Sequence, residues 1–265
     1  MGSATRSATT AVHAVLSKSL PASLTTAEAL FGASAVIASS TQLRSTLSNP
    51  AIDSGEKQKL VADIFGKGFD KDALTLVAAA TAQRWSSGHD LVDGIEDLGL
   101  RAAASSVKES GVIEGEIFGF ARAVSSDAEL ELALGSKLGN PDAKSALAST
   151  LLKNAKAQPA TVAIVSALVR SPRGRRIGAL LRHAATTIAD QAGRIVASVT
   201  SAQPLSEAQL SAVAKTVKGV YGRDAVLNVV VDAKAIGGAR IQVGDHVIDG
   251  SVAATLSDLR VQLAG

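Results

Sequence analysis

Two glycine-containing stretches have residue types that bind phosphates or nucleotides in other proteins. Gly66-Lys67-Gly68 resembles part of a phosphate loop, but it follows a predicted helix and lacks both the glycine spacing and the Ser or Thr that binds magnesium. Gly237-Gly238 lacks the third glycine and the following helix of a dinucleotide fingerprint. We interpret the first stretch as a helix C-terminus and the second as a turn.

The acidic and histidine side chains do not form a recognisable catalytic or metal-binding pattern. Asp245, His246 and Asp249 lie close together in sequence, but no second histidine stands at ligand spacing from His246. The remaining histidines lie on separate predicted helices, with no serine or acid placed as in a catalytic motif: His13, His89 and His183. We therefore predict no catalytic residue, no cofactor and no metal ligand.

The composition predicts a globular and mainly helical chain. Hydrophobic residues make up 46% of the 265 residues and aromatic residues only 3%, so the core has to be close-packed from Ala, Val and Leu. The absence of cysteine excludes a disulfide framework and cysteine-ligated zinc. No apolar run approaches the roughly 20 residues of a membrane-spanning helix, and the first eight residues lack the apolar core of a signal peptide. We expect a soluble protein.

The charge balance leaves one alternative function open. The formal net charge is +3 and the isoelectric point about 9.2, with the densest basic run at Arg173–Arg176. A solvated loop between helices is the simpler interpretation of this run. A basic helical protein that binds nucleic acid is the alternative, although such proteins usually add stacking aromatic residues to a basic face.

Helical periodicity and capping residues divide the first 110 residues into a series of helices. Pro21 and the pair Asn49-Pro50 interrupt the pattern, because the residue before proline is disfavoured in helical geometry. Asp53 is suited to cap the next helix, and Ser87 to begin a long helix that runs to about Ser110. Trp85, the single tryptophan, is expected to cover a core at a helix end.

The first helical region is followed by a similar pattern. Residues of the same kind recur 87 positions further on, in the pairs Leu43 and Leu130, Leu47 and Leu134, Lys57 and Lys144, and Leu60 and Leu147. A chance alignment of two Ala- and Leu-rich segments would produce some of these matches. An internal duplication is the interpretation that we favour, which predicts two similar helical bundles.

The last quarter of the chain predicts a small domain with strands and helices. Ile195, Ala197 and Val199 alternate as in a half-buried strand, and a helix is predicted from Ser206-Glu207 to Tyr221. Two β-rich runs, 226–231 and 239–243, are predicted to form a hairpin around Asp232 and Gly237-Gly238. Asp249-Gly250-Ser251 predicts a turn that opens a final helix, whose apolar residues are Val252, Leu256, Leu259 and Leu263.

The sequence of this last quarter resembles the delta subunit of bacterial F-type ATP synthase, the counterpart of the mitochondrial oligomycin-sensitivity-conferring protein. The resemblance rests on VASVTSAQPLSEAQL and VDAKAIGGARIQVGDHVIDGSVAATLSDL, with a signature at Asp232, Ile236, Gly237, Gly238, Ile241, Val243, Gly244, Val247, Ile248, Asp249, Gly250 and Ser251. A second match lies in the first helical region, at Leu47, Asn49, Pro50, Ile52, Lys57, Leu60 and Phe65. One departure is that Arg6 is followed by Ser7-Ala8-Thr9, where the family usually has a tyrosine-alanine pair.

The resemblance implies a mainly α fold with three domains. Residues 1–105 are expected to form an N-terminal helical bundle that binds the alpha subunit. Residues 106–190 are expected to form a second, degenerate copy, as in actinobacterial delta subunits, and residues 191–265 a C-terminal α+β domain with a short sheet that binds the b subunit. The implied function is a non-catalytic part of the peripheral stalk, at the cytoplasmic face of the bacterial plasma membrane, which links the catalytic head to the b stalk and resists rotor torque.

The resemblance also implies where the partners bind. The N-terminal segments of alpha subunits are expected in a groove between the first and fifth helices, with candidate residues Ala11, Val12, Val15, Leu76, Val77 and Ala80. The C-terminal helix of the b subunit is expected on the final helix, with candidates Val252, Leu256 and Leu259. For any single alpha-binding candidate, a place in an ordinary bundle core is the interpretation that we favour. For the b-binding candidates, packing against the sheet is the alternative.

Overall fold

The computed structural model describes residues 2–136, 138–232 and 238–249. Contacts between Cα atoms divide the chain into two compact units, Met1–Ile188 and Ala189–Gly265. The first unit is helical, and the second contains a small mixed sheet. The predicted fold class, mainly α with a small α+β C-terminal domain, is confirmed.

The first unit begins with six helices that are followed by five more along the chain. The first six are α1 (Ser3–Leu16), which a short 3-10 helix (Ser17–Ser19) extends, α2 (Leu24–Ser39), α3 (Thr41–Ser48), α4 (Ser54–Phe65), α5 (Lys71–Ala82) and α6 (Gly88–Ser105). The next five are α7 (Ser110–Ser126), α8 (Ala128–Gly135), α9 (Pro141–Asn154), α10 (Pro159–Arg170) and α11 (Ile177–Gln191).

Capping side chains set most of the helix starts. Asp53 accepts a hydrogen bond from the Gly55 amide (2.7 Å) at the start of α4, and Asp70 accepts one from the Ala73 amide (2.7 Å) at the start of α5. These bonds satisfy amides that have no partner within the helix. The predicted long helix from Ser87 to about Ser110 is wrong in its length, because α6 ends at Ser105 and α7 begins at Ser110.

Helices α7 to α11 repeat the order of α2 to α6. The helix caps Ser40 and Asp53 recur as Asp127 and Asn140, 87 positions further along. Buried residues recur with the same offset: Leu30 and Ile117, Phe31 and Phe118, Leu47 and Leu134, Lys57 and Lys144, Phe65 and Leu152. Chance alignment does not produce equivalent caps and equivalent burial together, so the structure supports the duplication.

The place of α1 in the second set is taken by α6. This helix packs against α1, α2, α3 and α5 of the first set and also against α7 and α10 of the second. Its residues are buried almost all round, from Leu91 and Val92 to Ala102, Ala103 and Ala104. The two sets therefore share one central helix.

Two glycines of α6 allow aromatic rings to pack against its backbone. A Cβ atom on Gly94 would collide with the Trp85 ring, and one on Gly99 would lie 2.8 Å from the Phe31 ring. Trp85 is buried, and its indole Nε1 donates to the Ala80 carbonyl at 2.7 Å. The tryptophan thus covers the core, as the sequence predicts.

The second unit contains a four-stranded sheet in the order β2-β1-β3-β4. The strands are β1 (Ile195–Ser201), β2 (Ala225–Val231), β3 (Ala239–Val243) and β4 (His246–Asp249), and α12 (Glu207–Tyr221) lies between β1 and β2 in sequence. Strand β1 is parallel to β2, with Ile195 opposite Ala225, and antiparallel to β3. One sheet face and Val217 of α12 form the core of this unit.

The predicted hairpin between 226–231 and 239–243 is wrong. Strand β1 lies between these two strands, and the parallel β1-α12-β2 crossover places β2 at the far edge of the sheet. The hairpin of this unit joins β3 to β4 through Gly244-Asp245 instead. Gly244 has a φ of 57°, a conformation that suits glycine at the first position of a type II′ turn.

The close contact between Trp85 and α6 gives a first prediction. Gly94→Ala should destabilise the protein by about 1–3 kcal/mol, because the added methyl group overpacks the Trp85 site. Gly115→Ala on the exposed side of α7, where the methyl group meets open space, is the matched control and should stabilise by up to about 1 kcal/mol. Urea unfolding of both variants measures the difference, and equal effects would contradict the packing described for Gly94.

Candidate partner-binding surfaces

The predicted alpha-binding residues occupy two neighbouring helices, but most of them are buried. Val12 of α1 is 1% exposed, and Leu76, Val77 and Ala80 of α5 are fully buried. Only Ala11 and Val15 are partly exposed. The α1–α5 face therefore has a floor of buried residues and a small partly exposed apolar surface above it. The binding role of these six residues stays a prediction.

Polar contacts fix α1 at both ends. Near its start, Thr5 Oγ1 donates to Ser86 Oγ (2.9 Å), and the Ser86 amide donates to Thr5 Oγ1 (3.2 Å). Near its end, His13 Nε2 lies 2.6 Å from Asp97 Oδ2, which also accepts from Arg101 Nε at 2.9 Å. These contacts tie α1 to the start and the middle of α6, so the α1–α5 face is held in place before any partner binds.

Asp97 is the charged centre of the contact between α1 and α6. Burial alone would raise the pKa of its carboxyl group, but the hydrogen bond from His13 and the charges of Arg101 and His13 outweigh burial and hold the pKa below its usual value. The carboxylate therefore stays ionised inside the bundle. The folded state binds a proton there less readily than the unfolded chain does.

The residues of the Asn49-Pro50 to Lys57 signature form one end of the first bundle. Asn49 Oδ1 accepts from the Ala51 amide at 2.9 Å, which closes the turn after α3. Lys57 is buried, and its Nζ donates to the Thr81 carbonyl at 3.3 Å in the last turn of α5. Burial lowers the pKa of Lys57. A cation at a helix C-terminus is electrostatically favourable, so a structural role accounts for this signature.

The loop between α10 and α11 inserts two arginines between the helices of the first set. Arg175 forms a bidentate pair with the buried Glu96 of α6, with both N–O distances at 2.9 Å. Arg173 contacts Glu96 at 2.9 Å and Asp93 at 2.6 Å, and donates to Ser34 Oγ at 3.1 Å. We call these contacts the arginine clamp. It joins the end of the second set to α2 and α6.

The arginine clamp bears on the nucleic-acid alternative. Burial lowers the pKa of Arg173, and Arg175 adds to that effect, while Glu96 and Asp93 oppose it. Arg170 is also paired, at 2.7 Å from Asp142. Three of the four arginines between positions 170 and 176 thus face carboxylates at close range. Arg173 and Arg175 of the basic run that motivated the alternative are therefore engaged in a contact between helices, which reduces the positive charge available for phosphates.

Sequence reasoning missed the clamp, although it noticed the arginines. Asp93, Glu96 and Asp97 are acids on one predicted helix, and an acid that becomes buried requires a partner. That requirement was the available signal. The partner Arg175 lies 79 residues away, so the sequence offered no means of pairing it with Glu96.

The predicted b-binding residues Val252, Leu256 and Leu259 lie outside the described residues, as do Gly237, Gly250 and Ser251 of the signature. Gly238 has a φ of 72°, which suits glycine, and Asp249 is the last residue of β4. The described surface of this unit exposes Val220 on α12 and Val231 on the edge strand β2. Apolar surface is therefore present on both its helix and its sheet edge.

The stretches that could have carried chemistry have structural roles instead. Gly66 caps α4, and its amide donates to the Ala62 carbonyl at 2.8 Å. His246 lies edge-on to the Tyr221 ring at 6.5 Å. Within residues 2–136, 138–232 and 238–249, no three His, Asp or Glu side chains come together as a cation site, and no helix is long and apolar enough to cross a bilayer.

Comparison with known proteins gives consistent matches. The sequence model of the family described as "ATP synthase delta (OSCP) subunit" matches residues 99–263. A Leifsonia xyli protein named ATP synthase subunit delta is 47% identical across 100% of both chains, and a Streptomyces griseus protein of that name is 37% identical over 90% of this chain and 89% of its own. A chain of the Toxoplasma gondii mitochondrial ATP synthase hexamer is 22% identical with a TM-score of 0.42, covering 64% of this chain and 95% of that one.

The arginine clamp gives a second prediction. Glu96→Gln should destabilise the protein by about 3 kcal/mol, because two largely buried guanidinium groups lose the carboxylate that faces them. Arg170→Gln is the matched control, since its pair with Asp142 is exposed and should contribute less than about 1 kcal/mol. Chemical denaturation of the full chain checks both values. A similar small loss in both variants would show that the clamp contributes little.

Asp97 gives a prediction on pH dependence. Because the pKa of Asp97 is lowered by folding, its contribution to stability is present above the unfolded value of about 4 and is lost as the pH falls through the folded value. Asp97→Asn should therefore cost about 1–2 kcal/mol at neutral pH, and the difference from wild type should shrink in acid. Urea unfolding across acid pH measures it, with the exposed Asp63→Asn as a control that should leave the profile unchanged.

Proposed function

The chain belongs to the ATP synthase delta (OSCP) subunit family, and from that premise we propose that it is the non-catalytic connector between the catalytic head and the b stalk of an F-type ATP synthase. Membership of the family makes it a peripheral-stalk subunit that assembles with other ATP synthase subunits. We further propose that it acts peripherally at the cytoplasmic face of the membrane.

We propose that residues 1–105 bind the N-terminal segments of alpha subunits through the α1–α5 face. The observation that carries this assignment is the different exposure of the two sets. Ala11 and Val15 are partly exposed, whereas the residues 87 positions further on, Leu98 and Ala102 of α6, are fully buried. The first set therefore has an open face where the second set is closed by the sharing of α6.

The α1–α5 face suits an amphipathic partner helix. Several partly exposed residues of α1 and α5 are small, namely Ala4, Ala11, Ala78 and Ala79, so a partner helix could approach these two helices closely. Such a helix would contribute apolar anchors at i, i+3, i+4 and i+7. The contacts of Thr5 and His13 with α6 hold the face rigid, which reduces the entropic cost of docking.

We propose that residues 191–265 bind the C-terminal helix of the b subunit, through Val252, Leu256 and Leu259 of the final segment. The described part of this unit supports the proposal only through its apolar surface at Val220 and Val231. With one partner at each end, the chain would act as a tether that keeps the head from turning with the rotor.

The extent of the family match leaves a second possible binding site for the alpha segment. Because the match begins at residue 99, it includes α7 to α11 and excludes most of the first set. The alpha segment could then bind residues 106–190 instead of the α1–α5 face. The two assignments place the site on different helices, so single substitutions distinguish them.

The decisive experiment titrates the full chain with a peptide of the alpha N-terminus. Val15→Asp should weaken binding by about tenfold or more, because it places a charge on the partly exposed apolar face. Ala14→Asp, on the exposed side of the same helix, should leave binding unchanged. Calorimetry measures both affinities. Unchanged binding by Val15→Asp would move the site to the second set.

The same preparation tests the function as a whole. A peptide of the b C-terminus should bind wild type and the Val15→Asp variant equally, and Leu256→Asp should abolish that binding alone. Binding of both peptides should change little with salt, since the contacts are apolar. Failure of both peptides together with salt-sensitive binding of short DNA or RNA would overturn the connector function in favour of nucleic-acid binding.

A further inference from the structure

The second set of helices has an open apolar groove on its outer side. The groove has a volume of about 360 Å³ and lies between α7, α8 and the end of α9. Its lining is mainly apolar and includes Gly119, Phe120, Leu130, Leu151, Leu152 and Ala157. We call it the Ala157 groove.

In the first set an aromatic ring occupies the equivalent position. Phe69 directly precedes Asp70, the cap of α5, and its ring stacks on Phe65 with centroids 4.9 Å apart. The ring also lies over α2, since a Cβ atom on Gly32 would be 3.8 Å from its edge. Phe69 thus fills the space between α2 and the end of α4.

The second set has the same surroundings without the ring. Counted from the equivalent residues Leu152 and Phe65, the connection to the cap of α10 is one residue longer than the connection to the cap of α5, so Ala157, which directly precedes the cap Gln158, stands in the position of Phe69 at an offset of 88. The Phe69 amide donates to the Phe65 carbonyl (3.1 Å), and the Ala157 amide donates to the equivalent Leu152 carbonyl (3.0 Å). Gly119 and Leu152 stand in the positions of Gly32 and Phe65. A Cβ atom on Gly119 would meet no described atom within 4 Å. The groove is therefore the Phe69 site with the phenyl ring removed.

The polar group beside the groove is already engaged. The Glu116 carboxylate accepts hydrogen bonds from the Gln158 amide, at 3.0 and 3.1 Å, and from the Thr161 hydroxyl. Glu116 thereby caps the start of α10. It is therefore not available to orient a polar ligand. What remains is an apolar space of a shape that accepts an aromatic ring in the first set.

This chain does not supply a ring of its own. It contains five phenylalanines, one tryptophan and one tyrosine. The rings other than Phe69 and Tyr221 are buried in the helical unit: Phe31, Phe65, Trp85, Phe118 and Phe120. Phe69 stacks on Phe65, and Tyr221 lies against His246. A second copy of the chain would offer the same committed rings, so a different polypeptide has to provide the occupant.

We propose that the Ala157 groove is a docking site for an apolar segment of another protein that inserts one aromatic side chain between α7 and α9, as Phe69 does within the first set. The duplicated bundle then carries a binding site of its own, separate from the α1–α5 face. An aromatic anchor in a preformed pocket is the usual centre of a protein interface. The proposal gives the second set a role that does not depend on which set binds the alpha segment.

The first test uses N-acetyl-phenylalaninamide as the probe and N-acetyl-alaninamide as its control, followed by methyl NMR of the full chain. The aromatic probe should shift the methyl signals of Leu130, Leu151 and Leu152 in a saturable way, and the control should not. Ala157→Phe should fill the groove, raise the melting temperature and weaken probe binding by about tenfold or more. Ala146→Phe, at an exposed position of α9, should leave probe binding unchanged.

A reciprocal variant keeps the test informative if Ala157→Phe fails to fold. Phe69→Ala should create a matching groove in the first set, so the probe should then also shift signals of Leu43 and Ile64. The proposal is overturned if the wild type shows no saturable shift, if both probes act alike, or if Ala157→Phe folds and binds the aromatic probe as well as wild type does.

A second experiment identifies the occupant in the assembled enzyme. Because the chain has no cysteine, Lys153→Cys on the exposed side of α9 accepts a single short photo-crosslinker. The crosslinked peptide should come from another subunit and contain an aromatic residue, and the additional Ala157→Phe change should abolish the product. A product that lacks an aromatic residue, or that persists in the Ala157→Phe background, would contradict the proposal.

Discussion

The burial of α6 is the constraint on which the helical unit depends. Most of α6 is packed against other helices, so the polar groups on its buried sides need partners within the protein. Glu96 finds Arg173 and Arg175, and Asp97 finds His13 and Arg101. The pairs with His13, Arg173 and Arg175 connect α6 to elements distant in sequence, and the pair between Asp97 and Arg101 lies within α6 itself. The same pairs that satisfy α6 therefore join α1, α2 and the α10–α11 loop to it.

Sharing α6 also accounts for how two helical sets fit into a unit of fewer than 190 residues. Two separate six-helix bundles would each need a helix in the position of α1, but α6 closes the first set and opens the second. The consequence is an asymmetry. The face of α1 is partly exposed at Ala11 and Val15, whereas the corresponding face of α6 is covered by the first set.

The sequence predicted the parts of the fold that depend on local rules. The caps Asp53 and Ser87 and the break at Asn49-Pro50 depend on nearby residues, and they predicted where helices begin and end. The hairpin prediction was wrong because strand order depends on the parallel pairing of β1 with β2 across α12, which turn residues do not report. Periodicity identified the apolar faces of α1 and α5, but it did not distinguish buried Val12 and Leu76 from partly exposed Ala11 and Val15. That distinction depends on which neighbours cover each face.

The differences between the two sets depend on how tightly each position is packed. Once α6 is covered, substitutions on its second-set face are constrained by packing, as the fully buried Leu98 and Ala102 illustrate. The outer side between α7 and α9 has no such constraint, and there a position that holds Phe69 in the first set holds Ala157 in the second. An open groove of this kind exposes the apolar side chains of Leu151 and Leu130 to solvent, and an aromatic ring that filled it would remove that apolar surface from water.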